Sequence, residues 1–94
     1  MAYESKFQSP ENDSLFDTIL KLENREDCYR FFEDLMTIKE LQAISQRWHV
    51  ARLLNEGKTY TEVAEATSAS ATTISRVNKC LQYGAEGYKE MVKC

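Results

Sequence analysis

The chain has 94 residues, which is enough for one domain, and a chain this short would gain core from a second copy. Its composition is 43% hydrophobic and 29% charged, with one proline and three glycines, which favours a globular protein built from long helices. The net charge of −3 argues against a protein that coats nucleic acid without specificity, because such binding depends mainly on neutralising phosphates.

The charge is divided unevenly along the chain. Residues 1–46 contain ten acidic and five basic residues, a net charge of −5, whereas residues 47–94 contain five acidic and seven basic residues, a net charge of +2. Any positively charged binding surface is therefore expected in the second half.

The three cysteines, Cys28, Cys80 and Cys94, show no Cys-x-x-Cys spacing, so neither a disulfide framework nor a zinc site is predicted. Free thiols fit a reducing cytoplasm. Residues 1–10 lack the apolar segment of a signal peptide, and no apolar run is long enough to span a bilayer. We expect a cytoplasmic protein without a membrane partner.

Residues 1–10 are predicted to form a mobile arm, and residues 11–94 a single helical domain. A first helix begins near Pro10. Asn24 is the expected N-cap of a second helix. Apolar residues recur at helical spacing in both helices. They are Leu15, Phe16, Ile19, Leu20 and Leu22 in the first, and Cys28, Phe31, Phe32 and Leu35 in the second.

A third and longest helix is predicted from the capping box formed by Thr37 and Glu40 to about Glu56, with Gly57 as its C-cap. Its apolar residues cover more than one face, which is typical of a helix wedged between neighbours. They are Leu41, Ile44, Trp48, Val50, Ala51, Leu53 and Leu54. This helix is the expected centre of the fold.

Two shorter helices, over about residues 59–66 and 70–81, form a candidate helix-turn-helix within residues 59–82. The small Ala64 permits a close crossing, and four apolar residues at suitable separations would fix the angle: Val63, Ala69, Ile74 and Val77. Ser68 occupies the turn position where glycine is usual. The turn therefore either avoids a positive φ or is slightly strained. Gly84 and Gly87 mark a break, after which Tyr88, Met91 and Val92 indicate a short terminal helix that folds back.

Short polar side chains begin the second of these helices, as a helix that approaches base edges requires. Arg76 and Lys79 follow, and would reach phosphates or a guanine. The residues predicted to contact DNA are Ser70, Ala71, Thr72, Thr73, Ser75, Arg76 and Lys79. The alternative is a helical hairpin without a DNA-binding role, in which the hydroxyls are solvated and Arg76 forms a surface ion pair.

Residues 34–81 resemble the tryptophan repressor family, and are most similar to its YerC/YecD group from Gram-positive bacteria. The most specific matches are D-L-M-T at residues 34–37 and T-I-S-R at residues 73–76. The resemblance implies an all-α, six-helix fold in an intertwined homodimer. It also implies that six apolar residues are buried against the other subunit: Leu15, Phe16, Phe31, Phe32, Leu41 and Trp48.

In this family two arginines hold a co-repressor, and the matching positions are Arg47 and Arg76. Val77 stands where the repressor has glycine, and would intrude on a slot for a flat ring. Tryptophan is therefore not the expected ligand, and the pocket is expected to be empty or to hold another small-molecule co-repressor. Arg47 has an alternative role as the ion-pair partner of Glu40 or Glu56.

Enzymatic chemistry is not predicted, since His49 is the only histidine and the chain contains neither a glycine-rich phosphate loop nor a nucleophile motif. His49 is expected at the surface or an interface. Cys80 is expected to be a small buried side chain, with a redox sensor as the alternative. The predicted function is a sequence-specific DNA-binding transcriptional regulator that acts as a repressor. The alternative is a dimeric protein-interaction module that uses the acidic half.

Overall fold

The computed structural model describes residues 3–93, so Met1, Ala2 and the free thiol expected at Cys94 lie outside the described residues. Within that range the chain forms six α-helices and no strand, which confirms the all-α, six-helix prediction. The chain divides after residue 36 into two compact units. The mobile arm over residues 1–10 and the single domain over residues 11–94 stay predictions.

The first unit contains α1 (Pro10–Ile19) and α2 (Arg25–Leu35). The Ser9 side chain caps α1 by accepting a hydrogen bond from the Asn12 amide, and Pro10 occupies the first turn, where a missing N–H costs nothing. Helix α1 is shorter than its apolar spacing suggests, because Leu20 is already the C-cap. The predicted Asn24 cap of α2 is confirmed, since its Oδ1 accepts from the Asp27 amide at 2.9 Å.

Apolar side chains of the first unit are largely uncovered. No residue of α1 or α2 is buried. Phe16 is 56% exposed and Leu20 is 82% exposed. The rings of Phe31 and Phe32 lie edge to face with centroids 5.4 Å apart, but both remain only half-buried. A single chain therefore leaves this unit without a closed core.

The second unit is organised on α3 (Ile38–Asn55), the longest helix, as the sequence predicts. The capping box at its start is confirmed, because Thr37 and Glu40 exchange side-chain and backbone hydrogen bonds. Gly57 follows the helix with a φ of 89°, a left-handed conformation that glycine adopts without a steric penalty. Helices α4, α5 and α6 all pack against α3.

The remaining helices are α4 (Tyr60–Thr67), α5 (Ala71–Tyr83) and α6 (Gly87–Val92). Their core against α3 is small and continuous, and the four residues expected to fix the helix-turn-helix angle all belong to it. The buried cluster consists of Val50, Ala51, Val63, Ala69, Ile74 and Val77. Helix α5 runs two residues beyond the predicted Leu81 and ends at Gly84, where a Cβ would collide with the Cys80 carbonyl oxygen.

None of the helices in the described part of the chain has both the length and the hydropathy needed to cross a bilayer.

Candidate DNA-binding site

The turn between α4 and α5 contains a residue in the left-handed conformation. Ser68 has φ 61° and ψ 16°, so of the two predicted alternatives the turn adopts the positive φ. This conformation costs a residue with a Cβ roughly 1–2 kcal/mol. The Ser68 amide donates to the Ala64 carbonyl oxygen at 2.8 Å, which closes the end of α4 as a glycine cap would.

Hydrogen bonds from Thr67 hold this turn in place. Its hydroxyl donates to the Val63 carbonyl oxygen at 2.8 Å and accepts from the Ala69 amide at 3.2 Å. The Thr67 carbonyl oxygen accepts from Nε2 of Gln46 on α3 at 3.1 Å. Because surrounding contacts must outweigh local backbone strain, these bonds explain how a serine can occupy the position. The turn is thus fixed both to α4 and to α3.

Helix α5 begins with a hydroxyl cap. The Ser70 Oγ accepts from the Thr73 amide at 3.1 Å and donates to the Thr73 Oγ1 at 3.1 Å. Serine at this position satisfies one of the free amides of the first turn. Two of the predicted DNA-contacting hydroxyls therefore also stabilise the start of the helix.

The two faces of α5 differ in burial and chemistry. Ile74, Val77 and Leu81 are buried, which turns one face of the helix towards α3 and α4. Thr73 is half-buried beside them. The other six residues predicted to contact DNA are exposed: Ser70, Ala71, Thr72, Ser75, Arg76 and Lys79. The structure therefore places short side chains at the start of one solvent-facing surface and cations further along it.

The cations of this surface have no acidic partner in the described chain. Over residues 3–93, ion pairs join Arg30 to Glu26 at 2.6 Å and Lys93 to Glu90 at 3.3 Å. Arg76 and Lys79 take part in neither, and α5 contains no carboxylate. The surface ion pair considered for Arg76 is absent from the described residues, so its charge is available to an anionic partner.

Arg47 and Arg76 line one open cleft of about 360 Å³ between α3, α5 and α6. Arg47 forms no ion pair within residues 3–93, and the Glu40 considered as its partner is engaged with the Thr37 amide. Val77 lines the same cleft and is itself only 2% exposed. The structure therefore places Arg47 and Arg76, the two arginines that the resemblance pairs, on the same cleft. The branched side chain of Val77 forms part of the cleft wall.

Cys80 and Tyr88 complete this cleft. Cys80 is exposed, so the expectation of a small buried side chain is wrong for this chain. Cys80 lies on the solvent-facing side of α5, whereas Ile74, Val77 and Leu81 lie on the buried side.

Tyr88 is half-buried, and burial raises the pKa of its phenol, assisted by Cys80 and opposed by the charges of Arg47 and Arg76. The sequence places Tyr88 on a terminal helix that folds back, and the half-buried side chain agrees with this. The cleft that Tyr88 shares with the two arginines was not predicted.

A second open cavity, of about 530 Å³, is lined by residues of α3 and of the end of α4. It is lined in part by His49, which is exposed, as predicted for a surface or interface residue. In residues 3–93, histidine, cysteine and carboxylate side chains form no group of three or more that could hold a metal ion.

Comparison with known proteins assigns the fold to a family. The model of the family described as Trp repressor protein matches residues 11–94. The chain belongs to the Trp repressor family. It is 51% identical over 84 residues to the uncharacterised protein YerC of Bacillus subtilis strain 168, covering 89% of this chain and 81% of YerC. The predicted similarity to the YerC group is confirmed.

Two solved members of the Trp repressor family have the same fold. A candidate Trp repressor from Staphylococcus aureus is 45% identical, with a TM-score of 0.89 and coverage of 94% of this chain and 88% of that one. A TrpR-like protein from Eubacterium eligens ATCC 27750 is 44% identical, with a TM-score of 0.90 and coverage of 94% and 91%. The helix-turn-helix described above is therefore set in a Trp-repressor-like chain.

Proposed function

We propose that this chain is a cytoplasmic transcriptional regulator that binds double-stranded DNA sequence-specifically and acts as a repressor. The observation that carries the proposal is the exposed surface of α5, where short polar side chains are followed by Arg76 and Lys79, which form no ion pair within residues 3–93. A helix of this kind can approach base edges with its first turn and phosphates with the cations beyond it.

The fixed turn supports the same function. A recognition helix discriminates between sequences only if its side chains are held in one register relative to the scaffold. Here the hydrogen bond from Gln46 to Thr67 fixes the turn to α3. The recognition helix packs on the core through the buried residues Ile74 and Val77. We propose no catalytic role for this arrangement.

We propose that the DNA-binding form is a homodimer. The support is the uncovered apolar surface of the first unit, where Phe16 is 56% exposed and no residue of α1 or α2 is buried. A chain of this length gains most from a shared core. A dimer would also present two copies of α5 to successive turns of DNA.

We propose further that DNA binding does not depend on tryptophan. The cleft that Arg47 and Arg76 line is also lined by Tyr88 and by Val77, which stands where the resemblance expects glycine. Calorimetry with tryptophan and with other aromatic carboxylates tests this directly. Heat of binding for tryptophan, together with a tryptophan-dependent gain in DNA affinity, would refute it.

Selection of duplexes from a random pool by the purified full chain is the experiment that tests the main proposal. We expect enrichment of a two-fold symmetric site whose half-sites lie one helical turn apart. The selected duplex should bind more tightly than a scrambled one, and the affinity should fall steeply with salt. Recovery of no enriched sequence would contradict sequence-specific DNA binding and favour the alternative, a protein-interaction module that uses the acidic first half.

A further inference from the structure

We infer that Tyr88 is a positioning residue for DNA recognition, acting as an aromatic wedge that holds α5 against α3. The inference rests on the proposed function and deepens it. Helix α6 carries none of the predicted DNA contacts, yet the inference assigns it control over the orientation of α5, which carries all of them except the N-cap Ser70.

The first step concerns what holds α6 in place. Helix α6 has six residues, none of them buried, and it packs against both α3 and α5. A helix this short is not stable alone, so its position depends on its contacts. Tyr88 is the residue of α6 that packs against the buried cluster containing Val50 and Val77. The Tyr88 ring is therefore the contact that links α6 to this cluster.

The second step concerns where that ring lies. Tyr88 lines the same cleft as Arg47 on α3 and Arg76 on α5, and both guanidinium groups act electrostatically on its phenol. The ring thus stands at the junction of three helices. Because cores are close-packed, removal of a ring at such a junction lets the neighbouring helices shift.

The third step concerns the connection that brings Tyr88 to this position. Glu86 has a φ of 73°, a left-handed conformation that is unfavourable for a side chain with a Cβ, and no side-chain hydrogen bond caps α6. Local backbone preferences therefore do not explain the docked α6. Packing of Tyr88 on the core is one contact that offsets this strain.

The consequence for DNA binding follows from Arg76 and Val77, which are adjacent on α5. Val77 is buried in the cluster that the Tyr88 ring covers, whereas Arg76 faces solvent. A shift of α5 at Val77 would move Arg76 and the first turn relative to the groove. Specific contacts, which need one geometry, would weaken more than phosphate attraction, which needs only proximity.

The test uses the full chain and two duplexes, the selected site and a scrambled sequence of the same length. We expect Tyr88→Ala to keep its helical circular dichroism and to lose at least about tenfold in affinity for the selected site, equivalent to about 1.4 kcal/mol. Affinity for the scrambled duplex should stay unchanged. Addition of 4-methylphenol, which carries the ring and hydroxyl that the substitution removes, should restore part of the specific affinity.

Two further variants isolate the ring. Tyr88→Phe should bind the selected site as the unaltered chain does, because the proposed role belongs to the ring and not to the hydroxyl. Tyr83→Ala is the matched control, since Tyr83 is 85% exposed at the end of α5. It should retain full discrimination and show no response to 4-methylphenol.

Unchanged specific affinity in a folded Tyr88→Ala would overturn the inference. So would a loss that 4-methylphenol does not restore, or an equal loss in Tyr88→Phe. If Tyr88→Ala does not fold, Tyr88→Leu decides, with lost discrimination supporting the wedge and full discrimination refuting it. Failure of the unaltered chain to prefer any duplex would instead refute the proposed function, so the two failures are distinguishable.

Discussion

The side-chain amide of Gln46 donates a hydrogen bond to the backbone carbonyl oxygen of Thr67 over 3.1 Å, across 21 positions of sequence. It joins the middle of α3 to the turn of the helix-turn-helix. The bond matters because the next residue, Ser68, has a left-handed backbone that the turn must be held to adopt.

Replacement of Gln46 by alanine should therefore loosen the turn. We expect a loss of about 1 kcal/mol in the free energy of unfolding, the usual net value of one hydrogen bond. Amide hydrogen exchange at residues 67–70 should accelerate more than the global loss explains. Gln42→Ala, an exposed position one turn earlier on α3, is the matched control and should change neither. Equal exchange rates in the two variants would contradict the role assigned to Gln46.

Ser68 offers a stabilising substitution. Glycine adopts the left-handed conformation without the Cβ penalty, so Ser68→Gly should raise the free energy of unfolding by about 1 kcal/mol. Urea denaturation measures the change. Ser75→Gly, within α5, is the control and should lower stability by about 0.5 kcal/mol, because glycine is a poor helix former. A decrease in both variants would show that Ser68 is not strained.

The cations of α5 should control the salt dependence of DNA binding. Each phosphate contact contributes roughly −0.9 to the slope of log affinity against log salt, so Arg76→Ala and Lys79→Ala should each reduce the slope by about 1. Fluorescence anisotropy over a salt series gives the slopes. Arg30→Ala removes the same charge from α2, where Arg30 pairs with Glu26, and should leave the slope unchanged. An equal reduction of the slope in all three variants would indicate that the salt dependence reflects only the net charge of the chain.

The capping carboxylate of Glu62 should make the stability of α4 depend on pH. The pKa of this group is lowered from 4.5, first by the hydrogen bond that it accepts from the Thr59 amide at 2.8 Å, then by the Thr59 side chain and by Lys58. A group with a lowered folded pKa stabilises the folded state above its unfolded pKa, and this contribution is lost as the pH falls through the folded pKa.

Glu62→Gln should therefore narrow the difference between urea midpoints measured above and below pH 4.5. Glu65→Gln, on the same helix but without a capping hydrogen bond in the described chain, serves as the control and should leave the difference unchanged. Identical pH profiles for the two variants would argue against the Glu62 cap as the source of the pH-dependent stability.

The uncovered face of α1 should govern association. Phe16→Glu should weaken the proposed dimer by roughly ten- to hundredfold, since burial of a phenylalanine contributes about 1.5–3 kcal/mol. Sedimentation equilibrium measures the dissociation constant. Ser14→Glu introduces the same charge at an exposed polar position of α1 and should leave association intact. A monomeric unaltered chain would contradict the proposed dimer.

Features decided within a few residues could be predicted from the sequence. Asn24, Thr37 and Gly57 mark helix boundaries that the structure reproduces, because a cap depends on one side chain and the adjacent backbone. The four apolar residues that fix the helix-turn-helix angle were also predictable, since their spacing sets which face of each helix is buried. The exposed face of α5 follows from the same spacing.

Features that depend on packing between distant residues could not be predicted in this way. The backbone of Ser68 was left with two alternatives, because the bond from Gln46 that constrains the turn comes from another helix. The sequence predicts that the helix of Tyr88 folds back, but the cleft that Tyr88 shares with Arg47 and Arg76 was missed because it depends on how α6 packs against α3 and α5. Leu20 and Leu22 continue an apolar spacing that α1 itself does not follow.

The hydroxyl of Ser70 is engaged twice within the chain, by the amide and by the hydroxyl of Thr73. Both hydroxyls therefore take part in holding the first turn of α5. The groups left free at the exposed start of α5 include the methyls of Ala71 and Thr72. Such groups recognise thymine by its C5-methyl. In the proposed complex, the first turn would then distinguish thymine from uracil by a single carbon atom of the base.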